Sequence, residues 1–192
     1  MKVILASKSP RRKELLGVMG IEDFEIIPAV GEENDGGQAD PAMAVKTIAE
    51  HKALEVKAKC EDGAVIIAAD TLVYIDGQKL GKPKNEREAE LMLKHLSGRR
   101  HSVYSGLCVI CGDKISACSE RTDVYFKKLS DEEIAAYIRS GEPMDKAGAY
   151  GAQSKGCIFV EKIDGDFFNV MGLPVCRLNE MLNEAGYKLP WI

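Results

Sequence analysis

The sequence predicts a mixed β-sheet flanked by helices, in the α/β (mixed α+β) class. Two patterns in the 192 residues carry that expectation. In the N-terminal part, short apolar runs alternate with helical periods, as in βαβ units. Farther on, Asp76-Gly77 and Gly112-Asp113 each separate two strand-like runs by two residues, the mark of a tight antiparallel hairpin. Parallel and antiparallel pairing are therefore expected in the same sheet. There are no internal repeats, low-complexity stretches or obvious linkers. The expectation is one domain over 1–192, or two lobes continuous with each other.

The elements follow in order. Lys2–Ala6 is an apolar strand. Ser9 is placed to cap a helix over Pro10–Met19, with Pro10 at the first helical position, where its missing N–H costs nothing. A strand over Phe24–Pro28 leads into a polar loop, Gly31–Asp40. Apolar spacing at Ala44, Ile48, Ala49 and Ala53 predicts a helix over Pro41–Lys57. Asp62-Gly63 marks a turn before a long apolar strand, Ala64–Ile75. Beyond the Asp76-Gly77 hairpin comes a helix over Glu86–Leu96, ending near Ser97-Gly98. Strands over His101–Cys111 and Lys114–Lys127 flank the second hairpin. Ser130 and Glu133 form a capping box for a helix over Asp131–Ser140. The segment Ala147–Gly156 is rich in small residues. A strand over Cys157–Lys162 and a helix over Pro174–Ala185 close the chain.

Bulk properties exclude several classes. With 26 basic and 30 acidic residues the net charge is −4, against a broad nucleic-acid face. Aromatic residues make up only 6%, which also disfavours base stacking along a strand. No apolar run is long enough to span a bilayer and no signal-peptide pattern precedes the first strand, so a cytoplasmic location without membrane partners is expected. Any self-association is expected to give a homodimer. Six scattered cysteines, in a chain too large to need staples, read as reduced thiols. Cys108 and Cys111 form a C-x-x-C with no second pair at zinc spacing, and His51, His95 and His101 suggest no ligand cluster.

Several residues point to chemistry on phosphates. Arg11, Arg12 and Lys13 fill the first turn of the first helix, the wrong sign for the positive end of a helix dipole. An anion there removes the conflict: free N–H groups, Ser9 and two guanidinium forks would converge on a phosphate. The alternative is a solvated basic turn. Asp70 interrupts the apolar run Ala64–Ile75, and an unpaired carboxylate there would cost several kcal/mol. It is either a general base or metal ligand, or one half of a buried salt bridge. A two-residue turn at Asp76-Gly77 sets Ile75 opposite Gln78 and, if pairing continued, Thr71 opposite Lys82. That would bring Lys82 beside Asp70, suited to neutralising phosphate charge. Gly81 and Pro83 work against that pairing. Glu32 and Glu33 open the polar loop, and one or two carboxylates suffice to hold Mg²⁺ on a triphosphate. Lys52 is either a surface helix lysine or part of this site. Gln153, in the small-residue loop, offers a donor and an acceptor to a base edge.

Ordered blocks along nearly the whole chain resemble the Maf family, proteins first described in septum formation. They are Leu5–Leu16, Ala68-Ala69-Asp70-Thr71, Leu80-Gly81-Lys82-Pro83, Leu96-Ser97-Gly98, Met144–Gln153, Ile163-Asp164-Gly165-Asp166 and Met171-Gly172-Leu173-Pro174. The resemblance implies a single Maf-like domain. It also implies an elongated mixed sheet around a deep cleft, similar to that of inosine triphosphate pyrophosphatases. The implied activity is hydrolysis of a nucleoside triphosphate to the monophosphate and pyrophosphate. By the same resemblance, Asp70 accepts the proton, a glutamate at the place of Glu33 belongs to the active site, and Arg12, Thr71 and Gln153 are associated with specificity. Residues and resemblance together give the expected site: Asp70 activates water, directly or through a divalent metal (Mg²⁺ or Mn²⁺) that Glu33 and Asp70 hold, and Ser9, Arg11, Arg12, Lys52 and Lys82 bind the triphosphate and stabilise the leaving pyrophosphate. The Arg11-Arg12, Asp70-Thr71 and Ala149–Gln153 combination is similar to the subgroup acting on dTTP and UTP. Ser154 departs from the pattern, which has glycine there. The rival reading is a non-catalytic nucleotide-binding regulator of cell division.

Overall fold

Helical crossovers build the first part of the sheet. In the computed structural model, which describes residues 1–31, 34–60 and 63–191, β1 (Val3–Leu5) runs through α1 (Pro10–Val18) to β2 (Phe24–Ile26). From there α2 (Pro41–Lys57) leads to β3 (Val65–Ile75). β2 and β3 both pair with β1 in parallel, Val3 facing Phe24 on one side and Val65 on the other. Asp40 caps α2 by accepting the Ala42 N–H, and Pro41 occupies the first turn.

Hairpins build the rest. β4 (Gln78–Leu80) folds back on β3, Ile75 facing Gln78 and Val73 facing Leu80. Asp76 and Gly77 both have positive φ, 50° and 79°, as the favoured two-residue hairpin turn requires. α3 (Glu86–Leu96) precedes β5 (Arg100–Cys111) and β6 (Lys114–Phe126), which Gly112-Asp113 joins. The expected capping box is formed at the start of α4 (Asp131–Arg139). Three 3-10 segments follow, Glu142–Asp145, Ala147–Ala149 and Lys155–Phe159, then β7 (Val160–Asp164), α5 (Phe167–Met171) and α6 (Val175–Glu184). The seven-stranded sheet has the order β2-β1-β3-β5-β6-β7, with β4 added on β3. Among the described residues no helix is long and apolar enough to cross a membrane.

Two expectations change. The strand expected from Cys157 begins only at Val160. Residues 155–159 instead wind as a 3-10 segment, with the Cys157 N–H bonded to the Ser154 carbonyl three residues back. Local bonds there outcompete a ladder that the apolar run Cys157-Ile158-Phe159 suggested. α5 is the other difference: at five residues it is too short to leave a period in the sequence. The Asp62-Gly63 turn falls partly outside the described residues.

The chain forms two compact units: residues 1–70, 105–120 and 172–192, and residues 71–104 and 121–171. In the first, Ala49, Ala53 and Val56 of α2 share a core with Ile4, Ala6, Ile66, Ala68, Cys108 and Ile110. α2 lies so close to β5 that a Cβ on Gly106 would collide with the Val45 carbonyl. In the second, Leu93 and Leu96 of α3 and Ile134, Tyr137 and Ile138 of α4 pack with Val73, Val103, Val124 and Phe126. His101, Phe126, Tyr137, Tyr150 and Phe159 make edge-to-face and tilted ring contacts in that core.

Candidate active site

The chain leaves β1 at a topological switch point. β1 lies between two parallel neighbours, reached by successive crossovers to opposite sides. Open α/β sheets take ligands beyond the C-terminal ends of such strands. The turn there is organised by Ser7, a nearly buried hydroxyl that sequence reasoning had passed over. Ser7 Oγ accepts the Ser9 N–H at 3.2 Å and an Arg12 guanidinium N–H at 3.0 Å. Arg12 Nε donates to the Gly172 carbonyl at 2.9 Å, so its fork is held from both sides. Ser9 occupies the N-cap position of α1 but makes no side-chain capping bond, correcting the expected cap. The first turn carries no acidic residue, and Arg11 is half-buried beside Arg12.

Asp70 is buried, and its carboxylate meets Lys52 Nζ at 2.7 Å. Side-chain exposure is 16% for Lys52 and 11% for Asp70, so the pair is largely out of water. The sheet period explains the meeting. Ile66, Ala68 and Asp70 alternate onto one face of β3, and Ile66 and Ala68 share a core with α2, the helix that carries Lys52. Asp70 also lies three residues past Ile67, whose carbonyl accepts the Ala6 N–H, in the direction in which β1 runs toward Ser7. A buried, lysine-paired carboxylate on β3, on the side toward which β1 runs out of the sheet, can accept a proton, hold a cation, or do both. Thr71, next on the strand and half-buried, presents the opposite face.

The second unit brings together two other expected segments. The β3–β4 ladder ends at Leu80, so pairing register does not carry Lys82 to Thr71. Instead the Gly81 carbonyl accepts the Gly148 N–H at 3.0 Å, tying Gly81-Lys82-Pro83 to the small-residue loop. Lys82 is exposed. Gly148 has φ 67°, and a Cβ there would press against the Val73 side chain, so only glycine fits. Gln153 is half-buried in a turn where Ser154 is accommodated by donating its hydroxyl to Glu142 at 2.6 Å.

Glu33, with Glu32, lies outside the described residues. No group of three or more His, Cys, Asp or Glu side chains forms a metal centre among the described residues. Asp70 alone still fits the need, since Mg²⁺ on a triphosphate takes most of its ligands from phosphate oxygens and water. Cys108 and Cys111, three apart on β5, face opposite sides of the sheet; Cys108 is buried and Cys111 Sγ lies 3.9 Å from Met1 Sδ.

Residues 2–185 match the family described as Maf-like protein. The chain belongs to the Maf family. This Maf chain is 48% identical over 193 residues to the dTTP/UTP pyrophosphatase of Dictyoglomus thermophilum, with 98% of each chain covered. It is 49% identical over 187 residues to that of Aquifex aeolicus, covering 97% of this chain and 96% of the relative. To that of Carboxydothermus hydrogenoformans it is 51% identical over 189 residues, covering 97% of this chain and 100% of the relative. Among solved structures, the Maf chain resembles a HAM1 protein from Coxiella burnetii (TM-score 0.52, 14% identity, 96% of this chain and 99% of the other). It also resembles the Staphylococcus aureus Ham1 protein (TM-score 0.53, 13% identity, 96% and 99%). At these identities the structural likeness is one of fold alone.

Proposed function

We propose that this chain is a cytoplasmic enzyme that hydrolyses dTTP and UTP to the nucleoside monophosphate and pyrophosphate. The observation that carries the reading is the near full-length identity, 48–51%, to relatives named dTTP/UTP pyrophosphatase. It is supported by the buried Asp70–Lys52 pair on β3 and by the basic first turn of α1.

In the proposed reaction the Asp70 carboxylate takes a proton from water as its oxygen bonds to the α-phosphorus. The bond from the α-phosphorus to the bridging oxygen breaks, and its electron pair leaves with pyrophosphate. Lys52 then has two roles. Before substrate arrives it balances the buried Asp70 charge. With substrate present its ammonium stands where charge builds on the phosphates. Arg11, Arg12, Ser9 and Lys82 complete the set assigned to the triphosphate, and Thr71 and Gln153 are assigned to the base. Mg²⁺ or Mn²⁺ would be held by Asp70, with Glu33 as a second carboxylate, and supplies charge neutralisation on the phosphate oxygens.

The test is product analysis across dTTP, UTP, CTP, GTP and 7-methyl-GTP with Mg²⁺ or Mn²⁺ and with chelator. Monophosphate and pyrophosphate, favoured from dTTP and UTP and abolished by chelator, are expected. Diphosphate with orthophosphate would point to γ-phosphate cleavage and overturn the reading. A preference for CTP or 7-methyl-GTP would overturn the substrate assignment.

A further inference from the structure

One half-buried carboxylate, that of Glu142, holds both ends of the turn that carries Gln153. The Ser154 N–H donates to the Gly151 carbonyl at 3.3 Å, closing a four-residue turn with Ala152 and Gln153 at its centre. On the entry side, the Gly151 N–H donates to Tyr137 Oη at 3.0 Å, and Tyr137 Oη donates to Glu142 Oε1 at 2.8 Å. On the exit side, Ser154 Oγ donates to the same Oε1 at 2.6 Å. The Gly156 N–H reaches Oε1 at 3.4 Å and the Lys155 N–H reaches Oε2 at 3.3 Å.

Gly151, Ala152 and Gly156 are buried, so the N–H groups of the two glycines need partners inside the protein, and one carboxylate with its tyrosine relay serves both. Here burial alone would push the Glu142 carboxyl up. The hydrogen bonds from Ser154, Tyr137, Gly156 and Lys155 outweigh it and hold the group below the usual carboxylate range, so it stays an acceptor. The packing is as close as the bonding. A Cβ on Gly151 would stand 2.5 Å from Ser154 Oγ and 2.6 Å from Lys146 Cε, and one on Gly156 would stand 2.9 Å from the Gly151 carbonyl oxygen and from Tyr137 Oη. Lys146 Nζ in turn donates to the Glu142 carbonyl at 2.8 Å, fixing the backbone from which the carboxylate projects. The Tyr137 ring sits edge-on to Phe159, centroids 5.0 Å apart, so the hydroxyl relay is itself rigid.

We propose that Glu142 is a positioning residue for base selection, acting through the Gly151–Ser154 turn to fix the point from which the Gln153 amide projects. The inference rests on the dTTP/UTP reading and deepens it. Uracil and thymine present a carbonyl at C4 and an N–H at N3, while cytosine presents an amino group and a bare nitrogen. An amide projected from a fixed point meets the first pattern with its N–H₂ and C=O. To meet the second it must turn over about its last bond, which exchanges N–H₂ and C=O without moving the backbone. A turn held by one carboxylate fixes the distance and angle at which the amide meets the base, so the matched pattern keeps its full advantage; a loosened turn lets amide and base re-seat and blunts it.

The experiment uses the full chain and two variants, Glu142→Gln and Tyr137→Phe. kcat and KM are measured for dTTP, UTP and CTP with Mg²⁺, and Tm is recorded for each protein. For Glu142→Gln, KM for dTTP and UTP is expected to rise about tenfold while kcat holds within about threefold, and the preference over CTP to fall about tenfold. Tyr137→Phe, which breaks only the entry-side relay and keeps the ring, is expected to move the same way by a smaller factor. It decides the matter if Glu142→Gln does not fold. An unchanged preference over CTP in folded variants overturns the role of Glu142, whatever happens to Tm. A fall in kcat at constant KM and constant preference overturns it as well. A wild-type protein without preference for dTTP and UTP overturns the substrate reading and this inference with it. A selective wild type with unaltered variants overturns this inference alone.

Discussion

Replacing Asp70 by Asn and Lys52 by Met separates what the buried pair does for the fold from what it does for the reaction. Both side chains are largely shielded, and the 2.7 Å contact is their shared satisfaction. Lys52→Met leaves a carboxylate buried without its cation, which typically costs about 3–5 kcal/mol. Asp70→Asn keeps the shape and an acceptor for Lys52 Nζ, so the loss of a charge-assisted bond should cost only about 1–3 kcal/mol. In the double variant the buried carboxylate is gone, and stability should recover above that of Lys52→Met alone. Turnover follows a different order. If Asp70 is the base, Asp70→Asn loses about 10²–10⁴-fold in kcat, equivalent to about 3–5 kcal/mol of barrier, and the double variant stays as inactive. The assays are urea unfolding at pH 7.5 and pyrophosphate release from dTTP at saturating Mg²⁺. A folded Asp70→Asn protein turning over within about threefold of wild type would falsify the assignment. The carboxylate would then be a structural ion-pair partner and nothing more.

His101 makes stability pH-dependent in a defined window. Burial lowers its pKa from 6.5 to about 4, against a small opposing pull from Asp123, and its Nδ1 has no hydrogen-bond partner among the described residues. The unfolded chain takes up this proton below about pH 6.5 and the folded chain does not. The contribution is therefore complete above that pH and is lost on acidification, about 2.5 kcal/mol by pH 4.5. Denaturant titrations at pH 7, 6, 5 and 4.5 should show this decline in wild type and not in His101→Phe; equal slopes would refute it. Gly106→Ala forces the new methyl into the Val45 carbonyl, so α2 must shift and take Lys52 with it. The expected result is a loss of more than about 2 kcal/mol in stability and a fall in kcat/KM, read from unfolding curves and initial rates. Wild-type values in both would mean that the close approach is easily relieved.

Much of the fold was legible because local signals agreed with tertiary structure. α2 and α3 occupy the expected spans, Pro41–Lys57 and Glu86–Leu96, where Asp40 and Asn85 cap periodic segments. The Asp76-Gly77 turn was likewise set by residues that tolerate positive φ. The site was legible in part. Asp70 stood out because a carboxylate in an apolar run needs a partner, but nothing in the chain between Lys52 and Asp70 announces that the two meet. That contact depends on α2 docking over β3. Hairpin arithmetic pointed to Lys82 instead, and the ladder stops at Leu80 as Gly81 turns to bond Gly148. Ser7 and Glu142 escaped notice for the same reason. Each matters through bonds to backbone and side chains that only the folded chain gathers.

The bond from Arg12 to the Gly172 carbonyl joins residues 160 positions apart. The unit containing Arg12 also needs residues 105–120 and everything from 172 onward, whereas the other unit uses nothing beyond residue 171. During synthesis from the N-terminus, all the residues of the second unit are therefore made before the first can close. Until Gly172 emerges, the turn after β1 lacks this tether, while the bond from Arg12 to Ser7, five residues away, can already form. Closure of so large a loop is slow compared with local folding. The growing chain thus carries a basic turn that acquires its final geometry only when nearly nine-tenths of the residues have been made, and hydrolytic competence is expected to arrive with the last helix rather than with the residues that perform the chemistry.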